Sequence, residues 1–219
     1  MVDANALTIT ATIPLPGPAD LDAYDATTKR VFVCNDANPE LWLINPDTKE
    51  LLFTYTYPSK GLEDLAFDAG DAHLVQNFKE ASLLGEINPT TGELLAKWPT
   101  SPALNPHGLA MTGTNSVLVS GGIGTLVLID LTTGQVLSSA AIAPKVDEVA
   151  YDLTFHRAYC ASGEGSISVV ALDGNKLKSL GNVSSSPGAH SVAVDPRTHA
   201  VWIVFTKGGK PFVQSFLPK

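Results

Sequence analysis

The segment LEDLAFD, residues 62–68, decides the fold because related segments recur along the whole chain. Four other copies align with it without gaps: ADLDAYD (19–25), PHGLAMT (106–112), VDEVAYD (146–152) and AHSVAVD (189–195). One column is alanine in every copy, at Ala23, Ala66, Ala110, Ala150 and Ala193. The spacings between these alanines are 43, 44, 40 and 43 residues. A repeat of this length is typical of stacked or radial repeat architectures.

Each of the first four copies is followed by three more short apolar runs that are separated by turn residues, and the fifth copy by two. After residues 106–112, for example, come SVLVSG, then LVLIDLTTGQ, then QVLSSAAIAP. Short β-rich runs bounded by Gly, Pro, Asn and Asp indicate strands, and no window has a convincing helical period. Four strands in a unit of about 43 residues describe one propeller blade. We therefore predict an all-β fold, a single five-bladed β-propeller of four-stranded antiparallel blades over residues 1–219.

The two ends of the chain suggest how the ring closes. The last unit stops after its third strand, in KPFVQSFLPK, and the chain opens with an additional apolar strand, ALTITATIPLP, at residues 6–16. The sequence predicts that this N-terminal strand is the fourth strand of the last blade. Such pairing leaves no free sheet edge at the seam.

The repeats resemble those of the YVTN-type and NHL-type, lactonase-like, β-propeller families. The resemblance covers almost the whole chain and is carried by PHGLAMT, AHSVAVDPRTHAVWIVF and the INPTTGELL turn. It implies a propeller fold. Propellers of this kind include lactonases, lyases, ligand binders and scaffolds, so the function has to be argued from the site.

The residue that opens the first strand of each blade is expected to point into the central channel. This column reads Asp20, Glu63, His107, Asp147 and His190, all of them residue types that bind metals. Clustered carboxylates repel one another unless a cation joins them. Imidazole and carboxylate together suit zinc, iron or manganese, with calcium as an alternative. We therefore predict a divalent metal site formed by this column; the alternative is a polar, water-filled channel.

The roles within this column stay open at the level of sequence. Glu63 and Asp147 are candidates for a carboxylate that moves protons rather than binding the metal. If the strand register slips by one residue, Asp64 and Glu148 take the places of Glu63 and Asp147. Asp22 either orients a histidine or is a solvated residue.

Other conspicuous polar and sulfur-containing residues are predicted to be structural. His73, His156 and His199 fall in turns between first and second strands, where a surface role is expected. A carboxylate that bonds its own turn backbone is expected at Asp25, Asp68, Asp152 and Asp195. The two cysteines, Cys34 and Cys160, lie in separate apolar runs and are interpreted as buried thiols rather than a disulfide.

The proportion of charged residues excludes some partners. The formal net charge is −8, and the 14 Lys and Arg residues are scattered singly, so a nucleic-acid partner is not expected. No apolar run reaches the roughly 18–20 residues that span a membrane. The first residues lack the features of a signal peptide, and the compartment stays open: cytoplasmic, or secreted if a signal was removed. We expect a soluble monomer.

The function that these features favour is a metal-dependent enzyme that acts on a small organic molecule. Lactone hydrolysis, elimination and isomerisation all suit such a site. The alternative is a non-catalytic propeller that binds a protein or a sugar and holds a structural ion or water in its channel. The loops on the face of the predicted site carry the candidate pocket walls Phe78, Lys79, Glu80, Trp98 and Lys207.

Overall fold

In the computed structural model, residues 1–35 and 37–218 are described, and they form a five-bladed β-propeller. A short N-terminal hairpin, β1 (Val2–Asp3) and β2 (Thr8–Ile9), precedes the blades. Four blades have four antiparallel strands each and the fifth has three. Blades one and two consist of β3 (Asp22–Asp25), β4 (Arg30–Asn35), β5 (Glu40–Asn45), β6 (Glu50–Thr56), β7 (Leu62–Asp68), β8 (His73–Phe78), β9 (Leu83–Ile87) and β10 (Leu94–Pro99). Blades three to five consist of β11 (Pro106–Met111), β12 (Ser116–Gly121), β13 (Thr125–Asp130), β14 (Val136–Ala141), β15 (Val146–Asp152), β16 (Arg157–Ser162), β17 (Ser166–Asp173), β18 (Lys176–Ser184), β19 (Ser191–Val194), β20 (Val201–Lys207) and β21 (Lys210–Phe216).

The turns after the first strands have the predicted carboxylates. The side chains of these aspartates each accept a hydrogen bond from a backbone N–H two residues on, at Asp25, Asp68, Asp152 and Asp195. The turns after the third strands use the same device, at Asn45, Asn88 and Asp130. Side chains that bond their own turn backbone fix where each strand stops. The strand boundaries are therefore determined by local residues, which explains why the repeat could be recognised in the sequence.

The core lies between neighbouring blades. Between blades one and two, Phe32 and Leu41 pack against Leu62 and Leu74, all almost fully buried. Equivalent apolar clusters fill the interfaces between blades two and three, three and four, and four and five. Both cysteines are buried and free, as predicted, and burial raises the pKa of the Cys160 thiol to about 12.

The predicted pairing of the N-terminal strand with the last blade is not present in the structure. Residues 8–9 pair with residues 2–3 instead, and the fifth sheet has the three strands β19, β20 and β21. Further along, Ile13 and Leu15 pack against the face of blade one that carries the fully buried Trp42. The physical reason is that this apolar face also needs a cover. The N-terminal segment covers it rather than the edge of blade five.

No helix in the described part of the chain has the length and apolar character that crossing a membrane requires.

Candidate metal centre

Three first strands carry a β-bulge at the same place, and each bulge holds a residue of the predicted column. The register with the second strand shifts between Leu62 and Leu65 in β7, between Pro106 and Leu109 in β11, and between Val146 and Glu148 in β15. A bulge inserts an extra residue into one strand and re-aims a side chain. The residues within these shifts are Glu63, His107 and Asp147, with Asp64 and Gly108 beside the first two.

These three bulge residues come together at one point. Nδ1 of His107 lies 3.3 Å from Oε2 of Glu63 and 3.2 Å from Oδ1 of Asp147. One ligand atom from each residue lies within 4.8 Å of the other two, so the group could hold a metal ion. Nitrogen and oxygen ligands sit about 2.0–2.2 Å from a zinc-type ion, which places adjacent ligand atoms roughly 3 Å apart. The spacing and the donor types both suit such an ion.

The structure brings together fewer residues than the sequence predicted. His190 lies beside the three and contacts Asp147 from the far side, with Nδ1 2.8 Å from Oδ2. Asp20 is not among the three; its backbone N–H donates to the carbonyl oxygen of Cys34. Asp20 and His190 both lie before the defined strand pairings of their blades, which begin at Asp22 in β3 and at Ser191 in β19.

The buried side of the site is held by residues that sequence reasoning did not assign to it. The thiol of Cys34 and the amide of Gln76 both donate to the carbonyl oxygen of Glu63, at 3.1 and 2.7 Å. The amide of Asn77 donates to the carbonyl oxygen of His107 at 2.7 Å. Cys34 and Asn77 occupy equivalent positions in their second strands, each two residues after the partner of the repeat alanine. This shared position was the feature of the repeat from which their role could have been inferred.

Asp64 and Glu148, the alternatives for a slipped register, each accept a hydrogen bond from the first strand of the next blade. Oδ2 of Asp64 accepts the backbone N–H of Leu109 at 2.8 Å, and Oε2 of Glu148 accepts that of Val192 at 3.0 Å. Burial raises the pKa of Asp64 to about 8, and the backbone hydrogen bonds oppose that rise. These carboxylates hold the blades at a fixed spacing. Asp22, the other open case, is exposed at the start of β3.

The candidate site is an alternating chain of charges. Lys79 forms an ion pair with Oε1 of Glu63. Burial opposes ionisation of Glu63, but hydrogen bonds from His107 and Lys79 outweigh it and lower its pKa. The hydrogen bond with His107 lowers the pKa of Asp147. Hydrogen bonds to Asp147 and Glu63 raise the pKa of His107 to about 9. In metal-free protein at neutral pH, the imidazolium of His107 therefore takes the place of a cation between two carboxylates.

This raised pKa predicts how stability depends on pH in metal-free protein. The folded pKa of about 9 exceeds the ordinary histidine value of about 6.5. The contribution of protonated His107 is therefore complete below about pH 6.5 and is lost as the pH rises through about 9. We expect the difference in unfolding free energy between the wild type and His107→Gln to be largest near pH 6 and to disappear by about pH 10. Urea unfolding with a chelator present measures it, and a difference that does not change with pH would contradict this assignment.

The remaining histidines lie away from this group; His156 and His199 are in turns as predicted, whereas His73 is the first residue of β8 and is half-buried. His73 contacts Glu86 at 2.7 Å, His156 contacts the Tyr151 hydroxyl at 3.2 Å, and His199 contacts Asp152 at 2.9 Å. The prediction that Phe78 forms a wall of the pocket is wrong, because this side chain is buried in the core between blades one and two. Trp98 packs in the core between blades two and three.

Comparison with known proteins supports the fold. No family model matches the chain, and no curated protein matches it. Among solved structures, a chain in the crystal structure of a mitotic checkpoint complex aligns with a TM-score of 0.78 and 9% identity, over 92% of this chain and 63% of that one. A chain of hydrazine synthase from Kuenenia stuttgartiensis aligns with a TM-score of 0.75 and 12% identity, over 92% and 66%. This chain spans less than two thirds of either protein, and identities this low show the propeller fold alone.

Proposed function

We propose that Glu63, His107 and Asp147 bind one divalent transition metal, and that this site catalyses a reaction of a small organic molecule. The observation that carries the proposal is the convergence of one imidazole nitrogen on two carboxylate oxygens, at 3.3 and 3.2 Å. Zinc, iron and manganese accept this mixed donor set. The metal would supply Lewis acidity that polarises a carbonyl or hydroxyl group, or lowers the pKa of a bound water.

The two carboxylates are not equivalent in this proposal. The side chain of Glu63 is only 6% exposed and pairs with both Lys79 and His107, whereas that of Asp147 is 41% exposed. A residue that transfers a proton has to reach the substrate. We therefore assign Glu63 to metal binding. Asp147, together with His190 on its outer oxygen, faces the side where a substrate arrives.

The reactions that suit this arrangement are lactone hydrolysis, elimination and isomerisation. Each needs a polarised oxygen and one proton transfer. Lys79 holds Glu63 in its ionised state, which keeps a negative ligand available to the metal. The resemblance of the repeats to lactonase-like propellers is consistent with this class of reaction.

One observation favours the non-catalytic alternative. The opposite charges of Lys79, Glu63, His107 and Asp147 alternate and neutralise one another, and His190 contacts the outer oxygen of Asp147. The cluster is therefore satisfied without an ion. Buried charge networks can serve only to fix a structure. The broad face of the propeller would then bind a protein or a sugar, and the cluster would join blades two, three, four and five.

Elemental analysis separates the two functions. The protein should be purified without chelators and without a metal-affinity tag, and its metal content measured beside that of His107→Ala. About one transition-metal ion per wild-type chain and none in the variant is expected for the catalytic site. Calcium, or no metal in either protein, would support the binding module.

A further inference from the structure

The fifth blade has a free edge and, beside it, an apolar cavity. The cavity has a volume of about 580 Å³, within the range of sites that accept a bound group. Blade four supplies Ile167, Val169, Leu180 and Val183 to its wall, and the end of the chain supplies Phe216 and Leu217. The cavity therefore lies where a fourth strand of blade five would pack, since the other four blades have four strands.

The outer edge of β21 has backbone groups that can pair with another strand. The hairpin of β20 and β21 turns through Gly208 and Gly209, both with positive φ, as a two-residue hairpin turn requires. Lys207 and Lys210 flank that turn, so they form a hydrogen-bonded pair, and every second residue of β21 after Lys210 pairs in the same way. The backbone groups of Val213 and Ser215 point outward. Pro211 is also at an outward position, so its missing N–H removes no hydrogen bond between β20 and β21.

The chain also contains an exposed strand of suitable character. Thr8–Ile9 form β2, and the sequence from Ile9 to Ile13 continues to alternate apolar residues with threonine. Leu7 lies in the turn that precedes β2 and has a positive φ. Leu7 is 82% exposed and Ile9 is 77% exposed. One edge of this strand pairs with residues 1–3, through β1 and the bond from the Thr10 N–H to the Met1 carbonyl oxygen.

We propose that the segment of residues 8–12 from a second copy of the chain adds to β21, with Ile9 entering the cavity. Within one copy this strand and β21 do not pair in the structure, and Ile13 and Leu15 hold the segment on blade one. Two copies related by a two-fold axis can exchange strands reciprocally, so both free edges are paired and both exposed apolar strands are covered. The protein would then be a dimer, in place of the monomer expected from the sequence.

Sedimentation velocity over a wide range of concentration tests the association, with two full-length variants. In Ile9→Asp the segment can no longer enter an apolar cavity, and we expect the dimer to dissociate about 100-fold more readily. In Ser215→Pro the outward N–H of β21 is removed while the pairing with β20 is kept, and a similar loss is expected. A mixture of the two variants should form a mixed dimer. In one of its two interfaces the intact N-terminal segment of the Ser215→Pro variant pairs with the intact β21 edge of the other variant.

Hydrogen exchange on the wild type gives a second reading that does not depend on how the variants fold. The amides of Val213 and Ser215 should become protected as concentration rises. A monomer in which these amides exchange fast would overturn the proposal. Protection in a monomer would also overturn it, since it would mean pairing within one chain. A dimer that both variants leave intact would place the interface elsewhere and overturn it equally.

Discussion

Replacement of His107 by alanine should weaken binding of a divalent metal by more than about 100-fold. Loss of residues that merely orient a metal ligand costs about 10–100-fold, and His107 supplies the only nitrogen of the three-residue group. Its imidazole also lies between the two carboxylates, at 3.3 and 3.2 Å, so its removal leaves Glu63 and Asp147 without their shared partner. Equilibrium dialysis against zinc measures the loss.

Two histidine variants make this result specific. His190→Ala should weaken binding by only about 10-fold, because His190 contacts the far oxygen of Asp147 and acts through it. His156→Ala should change nothing, since that side chain contacts the Tyr151 hydroxyl in a surface turn. If His107→Ala and His156→Ala bound zinc equally well, the three bulge residues would not be a metal site.

A large loss of stability is expected from Gly108→Ala, which lies beside the candidate site. A Cβ at this position would lie 2.7 Å from the carbonyl oxygen of Asp147 and 2.8 Å from the backbone nitrogen of Val149. Both atoms belong to the backbone of β15, which cannot move away as a flexible side chain does. Overpacking of this kind costs about 1–3 kcal/mol of unfolding free energy. It should also weaken metal binding, because it pushes Asp147 away from His107.

Gly163→Ala is the matched control for this substitution. The nearest atoms to a Cβ there are 4.0 Å away, which is ordinary van der Waals contact. Its unfolding free energy should stay within about 0.5 kcal/mol of the wild type. Urea unfolding of both variants gives the comparison. Equal stability of Gly108→Ala and Gly163→Ala would mean that β11 and β15 do not approach as closely as described.

The fold was predictable because its signals are local and repeated. The alanine column, the turn aspartates and the four apolar runs in each unit all depend on residues close together in sequence. Cys34 shows the limit of this reasoning. Its burial was predicted from its apolar neighbours, but its hydrogen bond to the carbonyl oxygen of Glu63 joins two blades and depends on how they pack.

The candidate site was predictable in composition but not in number. The column gave Glu63, His107 and Asp147 as members, yet nothing in the side chains indicated the bulges of β7, β11 and β15 that hold these three residues. A bulge is set by backbone pairing with the second strand. Likewise, the alternating apolar pattern of residues 6–13 predicts a strand without naming the edge it pairs with, and two apolar surfaces were available to that segment.

The most direct test of the metal centre is isothermal titration calorimetry of metal-free protein with zinc at pH 7, in two buffers that differ in ionisation enthalpy. The pKa of His107 is raised to about 9, so this imidazole is protonated before the metal arrives. Metal ligands must be deprotonated, and binding therefore has to displace that proton. The account predicts saturable binding of about one ion per chain with release of about one proton. Absence of saturable binding, or the same binding and proton release in His107→Ala, would contradict it.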